Sequence, residues 1–279
     1  MDLHNRHAIV TGGSSGIGRA LSRLLAQCGA HVSLIARRQP LLDESLAELE
    51  ALRQDPAQRF QACSTDLASW EQTEDAFHGL IAGDFPPELL INAAGFCHPG
   101  YVEQLEIDVF HDTMAVDFMG TLHATKAVLP AMMARKRGHI VNFSSVAGFY
   151  AIFGFSAYSA AKFAVRGFSE TLRQEMRPYG IDVSVVFPPT TDTPGLACEN
   201  QTKPPETMRI EGQVKIQTAD QVAQVVMRGI ERRKRYILPG FDTKLYFLLA
   251  HLPPALTGVF HWFFIDRIIE KVRREREQP

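Results

Sequence analysis

Cysteine is scarce and scattered. Cys28, Cys63, Cys97 and Cys198 form no CxxC pair and no cluster, which argues against a disulfide scaffold, a structural zinc site or any other metal centre. A dominant charge is also lacking. The 29 Lys and Arg nearly balance the 31 Asp and Glu, leaving a net charge of -2. No whole-surface field exists to collect nucleic acid. The dense basic run Arg232-Arg233-Lys234-Arg235 reads instead as a solvated helix end or a lipid-headgroup contact. Internal repeats are not evident, and 20 Gly and 16 Pro exclude collagen-like and low-complexity chains. No long apolar run precedes the first strand pattern at His7, so no signal peptide is expected. The expected setting is cytoplasmic or the cytosolic face of a membrane. What remains is an ordinary globular composition, 46% hydrophobic and 22% charged over 279 residues, enough for one domain with a sizeable core.

The first two thirds of the chain alternate strand and helix signals. Strands are predicted at 7–11, 31–36, 59–65, 89–92, 138–143 and 182–187, with a short last one at 236–238. Helices are predicted at 17–28, 41–53, 70–81, 110–134, 157–176 and 221–232. Short apolar strands separated by helices imply an α/β domain with a parallel sheet covered on both faces. Right-handed crossovers then make it a doubly wound, Rossmann-type fold. Residues 188–218 are rich in Thr and Pro and lack periodicity, which reads as a mobile flap over a site. This assigns 1–240 to a catalytic, cofactor-binding domain and 241–279 to an apolar, helical C-terminal extension. From Leu245 to Ile265 there is no Asp, Glu, Lys or Arg. That length reaches across lipid, but Pro253-Pro254 divides the run, and His251 and His261 lie within it. Two short helices joined at the prolines fit better. They would lie on a membrane surface or be buried in the core, a dimer contact or an acyl tunnel.

The first strand runs into Thr11-Gly12-Gly13-Ser14-Ser15-Gly16-Ile17-Gly18. Glycines here let the backbone approach a pyrophosphate, and the following helix offers free N–H groups and a positive dipole end. Gly12, Ser14, Ser15, Gly16, Ile17 and Gly18 are therefore candidate cofactor residues. The end of the second strand selects the cofactor. A carboxylate there would hold the ribose hydroxyls of NAD. This chain has Ala36 followed by Arg37 and Arg38, and guanidinium groups suit a ribose phosphate. NADP(H) is the expected cofactor.

Strand five runs into Asn142-Phe143-Ser144-Ser145, and Tyr158 is followed by Ser159-Ala160-Ala161-Lys162. Tyr158 and Lys162 are four apart on a predicted helix and share a face. A nearby ammonium favours the phenolate and lowers the tyrosine pKa, and Ser145 can donate a hydrogen bond to a substrate carbonyl oxygen. With TGGSSGIG at 11–18, NAAG at 92–95, Ser144-Ser145 and YSAAK at 158–162, the chain resembles the short-chain dehydrogenase/reductase family over about its first 240 residues. The resemblance implies a seven-stranded parallel sheet, a homo-oligomer, and roles for particular residues. Ser145 would polarise the carbonyl, Tyr158 would give the proton, and Lys162 would hold the nicotinamide ribose and tune Tyr158. Asp66, with Leu67, would contact adenine. Asn92, Ala93 and Gly95 would line the cofactor near its ribose. Pro188, Thr191 and Thr193 would follow strand six toward the pyrophosphate or carboxamide. One position departs: the family usually carries Asn where this chain has Asp117. In the family that residue's main-chain carbonyl is thought to hold a water beside the lysine. The Asp117 carboxylate would raise local proton affinity or pair with a cation, unless it is a tolerated local variant.

The Pro188-Pro189-Thr190-Thr191-Asp192-Thr193-Pro194-Gly195 run, with 199–204 and Thr207, resembles a subfamily of reductases acting on 3-ketodihydrosphingosine. That resemblance implies NADPH-dependent reduction of a long-chain keto-amine lipid, with peripheral membrane contact through the extension. Phe149, Phe153 and Phe155 are candidate acyl walls, and Asp192 and Glu199 candidate partners for the amine. The alternatives are a reductase of another lipophilic ketone (steroid, retinoid or acyl) and a cofactor-binding protein without turnover.

Overall fold

Short runs of Val, Ile and Leu, buried on both faces, build the centre of the molecule. In the computed structural model, which describes residues 2–81, 85–253, 256–258 and 262–277, these are β1 (His7–Thr11), β2 (His31–Ala36), β3 (Phe60–Ser64), β4 (Leu89–Asn92), β5 (Gly138–Phe143), β6 (Ile181–Val186) and, later in the chain, Tyr236–Ile237. They form one seven-stranded sheet, and every pairing in it is parallel. Its order steps outward from β1 through β2 to β3 on one side and through β4, β5 and β6 to Tyr236–Ile237 on the other. The direction of winding reverses between β1 and β4, which opens a crevice at the carboxyl ends of the strands. Register Thr11 to Asn92 and Asn92 to Asn142 brings the ends of β1, β4 and β5 level there. At the opposite edge Glu88 is buried under Arg6, Arg135 and Arg137 at 2.8, 3.4 and 2.8 Å.

Parallel strands need helical crossovers. These are α1 (Gly16–Gln27), α2 (Gln39–Ala51), α3 (Trp70–Ile81), α4 (Ile107–Thr113), α5 (Gly120–Ala134) and α6 (Ser156–Met176). Alternate strand residues face opposite layers. Val10, Val32 and Leu34 pack with Leu21, Leu25 and Leu42 on one face of the sheet, whereas Ile9, Leu90 and Ile140 pack with Phe77, Val128 and Met132 on the other. Fully burying such a side chain contributes roughly 1.5–3 kcal/mol.

Two expectations change in detail. The long helix predicted at 110–134 begins earlier and is interrupted by a wider π-turn, Met114–Met119, between α4 and α5; apolar periodicity does not register one inserted residue. The segment predicted as an aperiodic flap carries its own elements: β7 (Thr191–Asp192), α7 (Pro194–Glu199), α8 (Pro205–Glu211) and β8 (Gln217–Thr218), with β7 and β8 paired in parallel. Thr207, fully buried, ties α8 down by donating to the Phe153 carbonyl at 2.8 Å. A capping box between Thr218 and Gln221 then starts α9 (Ala219–Glu231).

The extension begins with α10 (Phe241–Ala250), which divides its apolar residues between two environments. Phe247 docks against Phe149 and Phe187, with ring centroids 5.1 and 5.6 Å away. Phe241 and Leu248 stay 76% and 63% exposed. The last helix, Arg267–Glu277, follows a π-turn at Trp262–Asp266 and is joined to α8 by an ion pair between Arg209 and Glu275. No helix among the described residues is long and apolar enough to cross a membrane. Pro254, Phe260 and His261 lie outside the described residues.

Candidate active site

One cleft of about 320 Å³ lies at the carboxyl edge, bounded by the β1–α1 turn, the ends of β4 and β5, α6, the 188–218 segment and α10. The turn closes tightly. Gly12 has φ +68, and a Cβ there would meet the Ala93 carbonyl oxygen and the Ala94 nitrogen at 2.8 Å. Glycine is required on both counts. Its N–H donates to the Ile35 carbonyl at 2.8 Å. At the start of α1, Ser15 makes no side-chain cap, so the first amides of that helix stay available to an anion. Gly16, at φ +52, leaves room opposite the Thr193 side chain. A dinucleotide phosphate fits this cradle: Ser15–Gly18 and Ala93–Gly95 border it, and the Arg37 and Arg38 side chains stand exposed just past β2.

The reacting centre is assembled by a close glycine contact and a helix. After β5, Ser145 opens a 3₁₀ turn, its hydroxyl accepting from the Ala147 N–H at 3.2 Å. Gly148 in that turn lies so close to α6 that a Cβ would be 2.8 Å from the Lys162 carbonyl oxygen. This packing sets Ser145 beside Tyr158, near enough for a hydrogen bond that favours the phenolate. One helical turn on, Lys162 is 3% exposed. Its Nζ donates to the Phe143 carbonyl at 3.3 Å and lies 5.4 Å from the Tyr158 ring. Asp117, in the π-turn and 0% exposed, places Oδ2 3.1 Å from Lys162 Nζ. Its Oδ1 accepts from the Phe96 N–H at 2.9 Å, and its carbonyl accepts from the Thr121 hydroxyl at 2.8 Å. Asp117 is thus paired with a cation.

Burial pushes the Tyr158 phenol well above its usual value of 10. Cys97, Asp117 and Glu199 push it further, and the Ser145 hydrogen bond pulls the other way. The net direction is upward, opposite to the lowering expected from Lys162, and burial is its largest cause. Burial raises Asp117 against the pull of Lys162.

Across the cleft, α7 and α8 contribute a second charged group. Lys203, buried, has its Nζ 2.5 Å from Glu211 and 3.6 Å from Glu199. Burial, with Glu211 nearby, raises Glu199 to about 7 even though Lys203 lowers it. The cleft also has apolar walls: Val146, Ile152, Phe155, Leu196, Ile210, Val214 and Ile265.

Of the predicted site residues, Gly12, Ser15, Gly16, Ile17, Gly18, Ala93, Gly95, Ser145, Tyr158, Lys162, Pro188, Thr191 and Thr193 all line this cleft. Thr193 also caps α7, its hydroxyl accepting from the Leu196 N–H. Arg37, Arg38, Asp66 and Leu67 lie past the ends of β2 and β3, farther along the same edge. Ser14 is buried within the turn. Asn92 is not among the residues lining the cleft. It is buried beneath the cleft, where its amide donates to Asn142 at 2.9 Å and Thr125 at 3.2 Å, so its side chain fixes β4 to β5 and α5. Phe149 belongs to the core and Phe153 packs on Tyr101, which leaves Phe155 as the cleft wall of the three. Asp192 is exposed outside the cleft, whereas Glu199 lines it. The sequence reading missed Glu211, Lys215 and the α10 residues Asp242, Thr243 and Tyr246, which no local spacing connects to the site.

The short chain dehydrogenase family pattern matches residues 6–204. Among curated proteins the chain is 38% identical to a 3-dehydrosphinganine reductase of Danio rerio over 82% of this chain and 69% of the relative. It is 36% identical to a 3-ketodihydrosphingosine reductase of Dictyostelium discoideum over 98% and 84%. A solved short-chain dehydrogenase from Sphingobium yanoikuyae in complex with NADPH superposes with a TM-score of 0.75 at 25% identity, over 90% of this chain and 97% of that one. The chain belongs to the short chain dehydrogenase family. It is an oxidoreductase of that family.

Proposed function

We propose that the chain reduces the 3-keto group of a long-chain 2-amino ketone, 3-ketodihydrosphingosine, to the secondary alcohol with NADPH, a step of sphingolipid biosynthesis. The carrying observation is the make-up of one cleft. Ser145 and Tyr158 share it with the glycine turn, with an apolar wall and with the carboxylates of Glu199 and Glu211. An acyl chain needs the wall, the ketone needs the hydroxyl pair, and an ammonium beside the ketone is matched by two carboxylates that share one lysine. The names and coverage of the relatives support the same reading.

When bound, NADPH supplies hydride to the carbonyl carbon. Ser145 donates a hydrogen bond to the carbonyl oxygen and stabilises the negative charge that develops there. Tyr158, held protonated by its surroundings, gives its proton to that oxygen. Lys162, fixed by Phe143 and Asp117, is placed to hold the nicotinamide ribose.

The extension supports peripheral contact with a membrane. Phe241, Leu245 and Leu248 recur at helical spacing on α10 and are all exposed, while Asp242, Thr243 and Tyr246 of the same helix line the cleft. Lipid bound at the first face would sit beside the entrance that the second face forms. A panel of ketones tests the substrate assignment: the long-chain 2-amino ketone should give the highest kcat/KM with NADPH. A steroid or retinoid ketone turned over better would overturn it.

A further inference from the structure

The Asp117–Lys162 pair is held from several directions. Oδ1 is fixed by the backbone N–H of Phe96, past β4, and the Asp117 carbonyl by Thr121 of α5. Lys162 comes from α6 and is held a second time by the Phe143 carbonyl of β5. A Cβ on Gly95 would lie 2.9 Å from Asp117 Oδ1 and 3.1 Å from Lys162 Nζ, so the glycine is what leaves these two groups room to meet.

We propose that Asp117 is a positioning residue that neutralises Lys162, thereby keeping Tyr158 a proton donor and biasing the centre toward ketone reduction over alcohol oxidation. This rests on Tyr158 acting as the acid in the reading above. Reduction consumes the neutral phenol, whereas oxidation requires the phenolate to take a proton from the alcohol. An unpaired ammonium favours the phenolate, as it would with the uncharged Asn usual at this position. Paired at 3.1 Å, the two side chains carry no net charge together, whichever of them holds the shared proton. The other groups facing Tyr158 act in the same direction. Cys97 follows β4 and Glu199 comes from α7, and both oppose the phenolate. The charge of Lys203 is taken up by Glu199 and Glu211. The Ser145 hydroxyl is the group named here that favours the phenolate.

The test is a tyrosinate absorbance titration of the cofactor-free protein, with the signal of Tyr158 obtained by subtracting Y158F. It needs no substrate, so a wrong substrate assignment does not affect it. In the wild type, Tyr158 should remain protonated past the ordinary phenol range. In D117N, referred to D117N/Y158F, its midpoint should fall by at least about one pH unit. With the lipid alcohol and ketone as substrates, kcat for oxidation relative to reduction at neutral pH should rise about tenfold in D117N. An unmoved midpoint, with both directions slowed alike, would show a purely structural role and overturn the proposal. So would a wild-type Tyr158 that titrates near neutrality, an outcome that needs no folded D117N.

Discussion

Glu199, on the cleft wall, has its carboxylate 3.6 Å from the buried ammonium of Lys203, and the same ammonium stands 2.5 Å from Glu211. Once Glu199 is ionised, two carboxylates sharing one buried cation leave a unit of negative charge beside the cleft. A ligand ammonium supplies what this group lacks.

Glu199→Gln should therefore raise KM for the amino ketone about tenfold to a hundredfold, the usual cost of a charge-assisted contact. A long-chain ketone without the amine should be nearly unaffected. Because Glu199 titrates at about 7, the wild-type KM for the protonated amine should fall as pH rises through about 7, and the variant should lose this dependence. Steady-state kinetics over that range check both statements. Equal losses on the two ketones would count against amine recognition.

Tyr158→Phe keeps the ring in its contact with Phe155, 6.0 Å away, and removes only the hydroxyl. Ketone reduction should drop about 10²–10⁴-fold, while NADPH affinity stays near wild type. Single-turnover reduction measured alongside cofactor titration separates the two effects.

Arg37→Ala should weaken use of NADPH by about tenfold to a hundredfold and leave NADH nearly unchanged. The side chain is exposed past β2. Comparing kcat/KM for both cofactors is the check, and equal losses would remove it from the ribose phosphate.

Replacing Phe241, Leu245 and Leu248 together with Ser should stop the protein floating with liposomes while preserving activity in detergent. Their exposed area contributes to lipid contact at roughly 25 cal/mol per Å². Unchanged flotation would transfer membrane contact elsewhere. A loss of long-chain activity in detergent would show that this face also shapes the entrance.

Acid should destabilise the fold through two buried imidazoles. His139 faces the Ser184 hydroxyl at 2.7 Å, and its Nδ1 has no hydrogen-bond partner among the described residues; His7 is held by the Phe85 carbonyl and Ser33. Burial lowers each from 6.5 to about 4. The unfolded chain therefore binds more protons in that interval, so the stabilisation is complete above pH 6.5 and is lost as pH falls toward 4. Each site is worth up to about 3 kcal/mol. Tm should decline steadily over this window, and His139→Gln should flatten part of the slope.

The parts of the site legible in the sequence are those whose geometry is local. Tyr158 and Lys162 meet because four residues make a helical turn, and Gly12 and Gly16 mark the turn because their backbones require positive φ. A parallel, doubly wound sheet follows from short apolar strands alternating with helices. What was not legible depends on contacts distant in the chain. Glu211 reaches the cleft only because α8 is anchored through Thr207 and Phe153. Asn92 sits in a family motif, yet its amide is committed to Asn142 and Thr125 beneath the cleft. Asp117 was visible as a departure, but its partner emerged only with the π-turn that aims it at Lys162.

The central claim is tested most directly by incubating the purified protein with NADPH and 3-ketodihydrosphingosine and identifying the lipid by mass. The account predicts dihydrosphingosine, heavier than the ketone by one hydride and one proton, formed in step with NADPH consumption and lost in Y158F. NADPH consumed without this product, or an unchanged ketone beside rapid reduction of an unrelated lipophilic ketone, would contradict it.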